Sequence, residues 1–179
     1  MNFDNSNAWE ASFAGDPMND LRLGTARKRL AESIDERDAI EGLREIVANL
    51  LGCEEIGLFK VDRPGETFQV CWSFGADLEN YDLNHALGDG GLQRVMRGEC
   101  HISVAARDRS CAMAQAFVPI RVENQTIAIL AILRLLPQKV AFDGADMELL
   151  KLLSDESAKP LFGLSRRSKG VAEGTGIRP

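Results

Sequence analysis

The sequence predicts an α+β domain: a central, mainly antiparallel sheet with helices on one face and loop or short-helix segments on the other. Three observations predict this class. Apolar residues alternate along several segments, as they do in strands. In other segments they recur three and four positions apart, as in amphipathic helices. Residues 127–133 are apolar at every position, which favours a central strand covered on both faces.

The composition and net charge limit which classes of binding partner and which cellular compartment we expect. The chain has 179 residues, of which 45% are hydrophobic, and a net charge of -6. This length and composition support one folded domain, and the acidic balance argues against a nucleic-acid partner. No apolar run reaches the roughly 18–20 residues that span a bilayer, and the N-terminus lacks the features of a signal peptide. We therefore expect a cytoplasmic protein without membrane contact, whose four cysteines are thiols.

The domain is predicted to begin with two helices. Residues 1–17 are polar and punctuated by glycine, so we expect them to form a flexible arm. A weak helical pattern follows over Asp20–Ile34. Asp35 is a candidate cap for a stronger helix that ends near Leu51, before Gly52.

Two strands are predicted next, at Ile56–Asp62 and Thr67–Phe74. The second strand alternates cleanly between apolar side chains and polar or small ones. We therefore expect its four apolar side chains to share one face of the sheet. They are Phe68, Val70, Trp72 and Phe74.

The middle of the chain carries weaker signals. Residues 76–90 are mainly polar and are predicted as a loop, followed by a short helix at Leu92–Arg97. A brief strand is expected at His101–Val104. Residues 105–114 lack a clear period and are predicted as a loop.

A hairpin closes the sheet. Its strands are predicted at Gln115–Val122 and Thr126–Leu135, joined by a three-residue turn in which Asn124 best tolerates a left-handed backbone. A final helix follows, capped by Asp143, and runs to about Lys159.

The domain boundaries follow from these elements. We expect one domain over residues 18–163, which includes the first helix. Residues 164–179 are rich in polar residues and glycine and are predicted to form a disordered tail.

This order of elements resembles the GAF domain over about residues 34–164. The segment LGDGGLQRVMRGECHI is similar to the family's glycine-marked loop and short helix leading into a strand. The segment AFVPIRVENQTIAILAILRLLPQKVAFDGADMELLKLLSDE resembles its last hairpin and helix. The resemblance implies a sensory or regulatory module that binds a small molecule between the sheet and the loop–helix segment. It also implies a homodimer paired through the terminal helices.

We expect no output domain in this chain, and therefore expect any signal to pass to a separate partner protein. A ligand-free dimerisation or protein-interaction module is the alternative function. The ligand or cofactor is left unassigned, and no catalytic residue or metal ligand is assigned.

The candidate pocket residues are mostly aromatic, sulfur-containing or aliphatic, which suits an apolar ligand. Arg109 is added as a group suited to an anionic ligand. The set is Trp72, Phe74, Tyr81, Leu92, Met96, Arg109, Cys111, Met113 and Phe117.

The residues present discriminate between three ligand subtypes of the family. A cyclic-nucleotide site is disfavoured, because Phe142 and Asp146 match only the second half of the family's motif. The Cys100-His101 dipeptide resembles a bilin attachment site but lacks the surrounding motif. His85, near two acidic residues, leaves an iron site open.

An enzyme is the third functional alternative. Some relatives reduce free methionine sulfoxide with a thiolate and a resolving thiol. Cys111 lies in about the right loop for this role. The glycine-rich loop at 88–91 has no cysteine, so we expect a protein that is not an enzyme.

Overall fold

The computed structural model describes residues 16–63, 67–103 and 116–163. The predicted arm up to residue 15, the tail and the segment 104–115 lie outside the described residues. The elements follow the order α1 (Pro17–Ala31), α2 (Glu36–Leu50), β1 (Cys53–Arg63), β2 (Thr67–Phe74), α3 (Leu83–Met96), β3 (His101–Ile102), β4 (Ala116–Val122), β5 (Gln125–Leu135) and α4 (Gly144–Glu156), with a π-helical turn at Lys159–Gly163.

The five strands form one antiparallel sheet in the order β2-β1-β5-β4-β3. The fold class predicted from the sequence is thereby confirmed. Strand β5 lies at the centre, and its side chains from Ala128 to Leu133 are all buried. This agrees with the prediction from the apolar run that both faces of this strand are covered.

The inner face of the sheet is covered by α2 and α4. Leu43 and Val47 of α2 and Leu149 and Leu153 of α4 pack with sheet residues in one core cluster. Helix α1 lies outside them and contacts both α2 and α4. Its buried residues are Asn19, Ala26 and Leu30, so this helix contributes little apolar surface to the core.

The outer face is covered by α3 and the segment that leads into it. Phe59, Phe117 and Ile129 form a second core cluster with Leu87 and Val95 of α3. Helix α3 consists of two helical segments that meet in a kink at Gly88 (φ 60, ψ 170), and the first segment, from Leu83, lies in the predicted loop. Glycine tolerates this conformation. The polar, glycine-containing pattern therefore concealed the first half of the helix.

Strand β2 differs from the predicted alternation. Phe59 pairs with Val70 and Leu58 pairs with Trp72, so Cys71 is an extra residue in β2. Such a bulge switches the faces of the following side chains. Phe68 and Val70 consequently lie on the outer face, where both line a cleft beside Phe59, and Trp72 packs with the inner cluster. The prediction that all four apolar side chains share one face was wrong.

The β4–β5 turn also differs from the prediction. Val122 pairs with Gln125, which leaves a two-residue turn, and Glu123 rather than Asn124 has a positive φ, of 55°. Tight two-residue hairpins need a positive φ at the first turn position. The pairing of the strands therefore decides which residue adopts it. Within the part of the chain that the structure describes, no helix is long and apolar enough to cross a membrane.

Candidate functional site

A cleft of about 550 Å³ opens on the outer face, between the β1–β2 edge of the sheet and the segment that leads into α3. Its apolar lining consists of Phe59, Phe68, Val70, Leu78, Tyr81 and Leu83. Its polar lining consists of Thr67, Gln69, Glu79, Asp82 and Asn84. Its volume lies in the range typical of small-molecule pockets.

A close contact between β1 and the entry segment positions the floor of the cleft. A Cβ atom at Gly57 would lie 2.3 Å from Leu78 Cδ1, so glycine is needed for Leu78 to lie against the sheet. Leu78 is only 3% exposed. The Phe59 and Tyr81 rings pack beside it with centroids 5.7 Å apart and planes tilted by 38°.

The rim of the cleft is fixed by side-chain hydrogen bonds to the backbone. Asp82 Oδ1 accepts a hydrogen bond of 3.0 Å from the backbone N–H of His85 and so caps α3. Asp77 Oδ1 accepts a bond of 3.1 Å from the N–H of Glu79. Among the described residues that line the cleft, the charged ones are Glu79 and Asp82, both acidic. The rim therefore carries negative charge.

Six of the nine candidate pocket residues lie in the described part of the chain. Tyr81 lines the cleft. Phe117 and Leu92 pack in the outer layer, beyond the cleft. Met96 is the last residue of α3. Arg109, Cys111 and Met113 lie outside the described residues.

Trp72 and Phe74 lie on the inner side of β2. Their rings stack with centroids 6.5 Å apart. The Arg44 guanidinium lies 4.9 Å from the Phe74 ring centroid. The structure therefore does not bring these two aromatic residues together with Tyr81. Contact between any candidate residue and a ligand stays a prediction.

Several lining residues were not singled out from the sequence, among them Phe59, Phe68 and Leu78. The sequence does contain a pattern that could have indicated them, in the segment 76–90 that was predicted as a loop. Leu78, Tyr81 and Leu83 interrupt its polar residues, and apolar residues in a polar segment often cover a sheet. The bulge at Cys71 places Phe68 on the opposite face of the sheet from Trp72 and Phe74. The sequence pattern therefore did not show that Phe68 lines the cleft.

Cys100 and His101 lie on opposite faces of the sheet. Cys100 packs against the inner cluster, and burial raises the pKa of its thiol to about 11. His101 stacks on Phe117 with centroids 6.2 Å apart, and burial and the nearby Arg94 lower its pKa. The two side chains therefore cannot face the same ligand, which weighs against the bilin interpretation.

The described thiols are poor nucleophiles at neutral pH, because the thiolate is the reactive form. Burial raises the pKa of Cys53 to about 12 and also raises the pKa of Cys71. Cys111 lies outside the described residues. The described chain contains no cluster of three or more histidine, cysteine or carboxylate groups placed to hold a metal ion.

A second, smaller cleft of about 430 Å³ lies in the helical layer. It separates the end of α1 from the end of α4, and Arg27 and Glu156 form an ion pair at its edge. This cleft is remote from the outer face of the sheet.

The chain is thus an α+β domain with helices on one face of its sheet and a cleft of small-molecule size on the other. The family model of the GAF domain matches residues 35–159, and the chain belongs to this family. GAF domains are sensory and regulatory domains of signalling proteins and are generally non-catalytic. No curated protein matches the sequence.

Solved structures share the fold at low sequence identity. The GAF domain of an Acinetobacter phosphoenolpyruvate-protein phosphotransferase is 17% identical, with a TM-score of 0.56 over 88% of this chain and 98% of its own. The GAF domain of the potassium sensor histidine kinase KdpD from Escherichia coli is 11% identical, with a TM-score of 0.51 over 86% and 99%. The phycoerythrobilin-bound GAF domain of a cyanobacterial phytochrome is 13% identical, with a TM-score of 0.55 over 84% and 97%.

Proposed function

We propose that this GAF domain senses a small organic molecule in the outer-face cleft and passes the signal to a separate partner protein in the cytoplasm. The cleft between the β1–β2 edge and the entry to α3 carries this proposal. Aromatic and aliphatic side chains form its floor, and polar groups lie at its rim. This division is typical of small-molecule sites, in which apolar burial supplies affinity and a few polar groups fix orientation.

A non-catalytic role is part of the proposal. The raised pKa values of Cys53 and Cys100 keep these thiols protonated at neutral pH. The described lining of the cleft contains neither cysteine nor histidine, and its Asp82 carboxylate is engaged in capping α3.

Native mass spectrometry of gently purified protein tests the sensor proposal. We expect an additional mass from a retained small molecule. Val70→Trp should fill the cleft and remove that mass. Phe74→Trp is the matched control, because it adds bulk to the same strand on the opposite face. A bare mass for the unmodified protein, or equal loss in both variants, would contradict the proposal.

A ligand-free interaction module is the second candidate, and one observation favours it. The centre of the outer face is already filled: Val95, Phe117 and Ala131 are each 0% exposed. On this alternative the cleft is only a surface depression, and Val70→Trp would leave partner binding and oligomeric state unchanged.

We also propose a homodimer formed through the terminal helices. Met18 and Leu21 are 72% and 65% exposed on α1. They lie three positions apart, so they share one face of the helix. That face is opposite the one that holds Ala26 and Leu30 against the core.

A further inference from the structure

We draw no further inference here: the strongest candidate, the aromatic surface patch that Trp72 and Phe74 form beside Arg44 on the inner side of edge strand β2, is an unpartnered apolar face, and nothing in the structure shows what covers it.

Discussion

Asp146 links three parts of the inner layer. Only 1% of its side chain is exposed, and it forms ion pairs with Arg22 of α1 and Lys139 of the β5–α4 connection. Its Oδ2 also accepts the N–H of Asp143, whose own carboxylate accepts the N–H of Asp146 in a capping box. One carboxylate therefore fixes the start of α4 and the position of α1.

We expect Asp146→Ala to destabilise the domain by about 3 kcal/mol, because it leaves two partly buried cations without their shared partner and removes the capping box. Urea unfolding measures the change. Glu41→Ala is the control, since Glu41 pairs with Arg44 on the surface of α2 with 47% of its side chain exposed. Its loss should change stability much less than the loss of Asp146 does, because exposed ion pairs contribute little. Equal effects of the two substitutions would contradict this role for Asp146.

The same carboxylate predicts a pH dependence. Burial by itself would raise the pKa of Asp146, but hydrogen bonds from Lys139, Arg22 and the Asp143 backbone outweigh burial and lower it. A carboxyl with a lowered folded pKa adds stability above its unfolded pKa of about 4. That stability is lost as the pH falls through the folded pKa.

We therefore expect the urea midpoint of the unmodified protein to fall as the pH drops from about 5 to about 3, and to fall less steeply in Asp146→Asn. Asp38 and Glu41 also have lowered pKa values. They are present in both proteins, so the difference between the two curves isolates Asp146. If the urea midpoints of the two proteins fall in parallel with pH, Asp146 does not contribute to the pH dependence of stability.

At the scale of elements, α1 is attached mainly by charged side chains. Arg22 binds Asp146 and the Leu50 carbonyl, Arg27 pairs with Glu156, and Arg29 pairs with Asp38 and Glu45. Ala26 and Leu30 are its buried apolar residues. Helix α2, by contrast, buries Ala39, Leu43, Ile46 and Val47 in the core. The two neighbouring helices should therefore respond differently to salt.

We expect 1 M NaCl to increase hydrogen exchange of the α1 amides by about tenfold relative to 0.05 M NaCl, because salt screens exposed ion pairs more than apolar contacts. The amides of α2 are the internal control and should change by less than about twofold. A uniform response of both helices would indicate that α1 is held as firmly by packing as α2.

The elements also differ in how far the sequence predicts them. The two strands of the final hairpin and α4 were predicted closely, although the turn between the strands was not, because the apolar run of β5 and the Asp143 cap depend on local patterns. The sequence did not predict which face of the sheet each β2 side chain lies on, because Val70 and Trp72 are both apolar and fit either face. A bulge between such residues leaves no trace in the alternation. For the same reason Tyr81 was predicted to line a pocket with Trp72 and Phe74, which lie on the opposite face.

At the scale of the whole molecule, the two faces of the sheet have separate roles in the proposed mechanism. The outer face holds the cleft, and the inner face holds the helices that are proposed to pair. Strand β1 joins them, since Phe59 lines the cleft while the neighbouring Leu58 packs under the helical layer. A ligand that shifts the β1–β2 edge would therefore act on the helical layer through adjacent residues of one strand.

The proposed dimer leads to a prediction at this scale. An interface of standard size buries about 800 Å² on each partner and needs apolar residues at its centre. Met18 and Leu21 are apolar side chains exposed on α1. We expect light scattering to show a dimer at about 100 μM protein and a monomer for Met18→Glu/Leu21→Glu, as an isolated buried charge at the interface is unfavourable.

Val140→Glu is the matched control, because Val140 is 96% exposed in the β5–α4 connection rather than on α1. It should remain dimeric. At protein concentrations low enough for the parent to be monomeric, both variants should unfold at the same urea concentration as the parent. The reason is that Met18, Leu21 and Val140 are all exposed and lie outside the buried core. A monomeric parent would overturn the dimer, and a dimeric double variant would place the interface on a surface other than this face of α1.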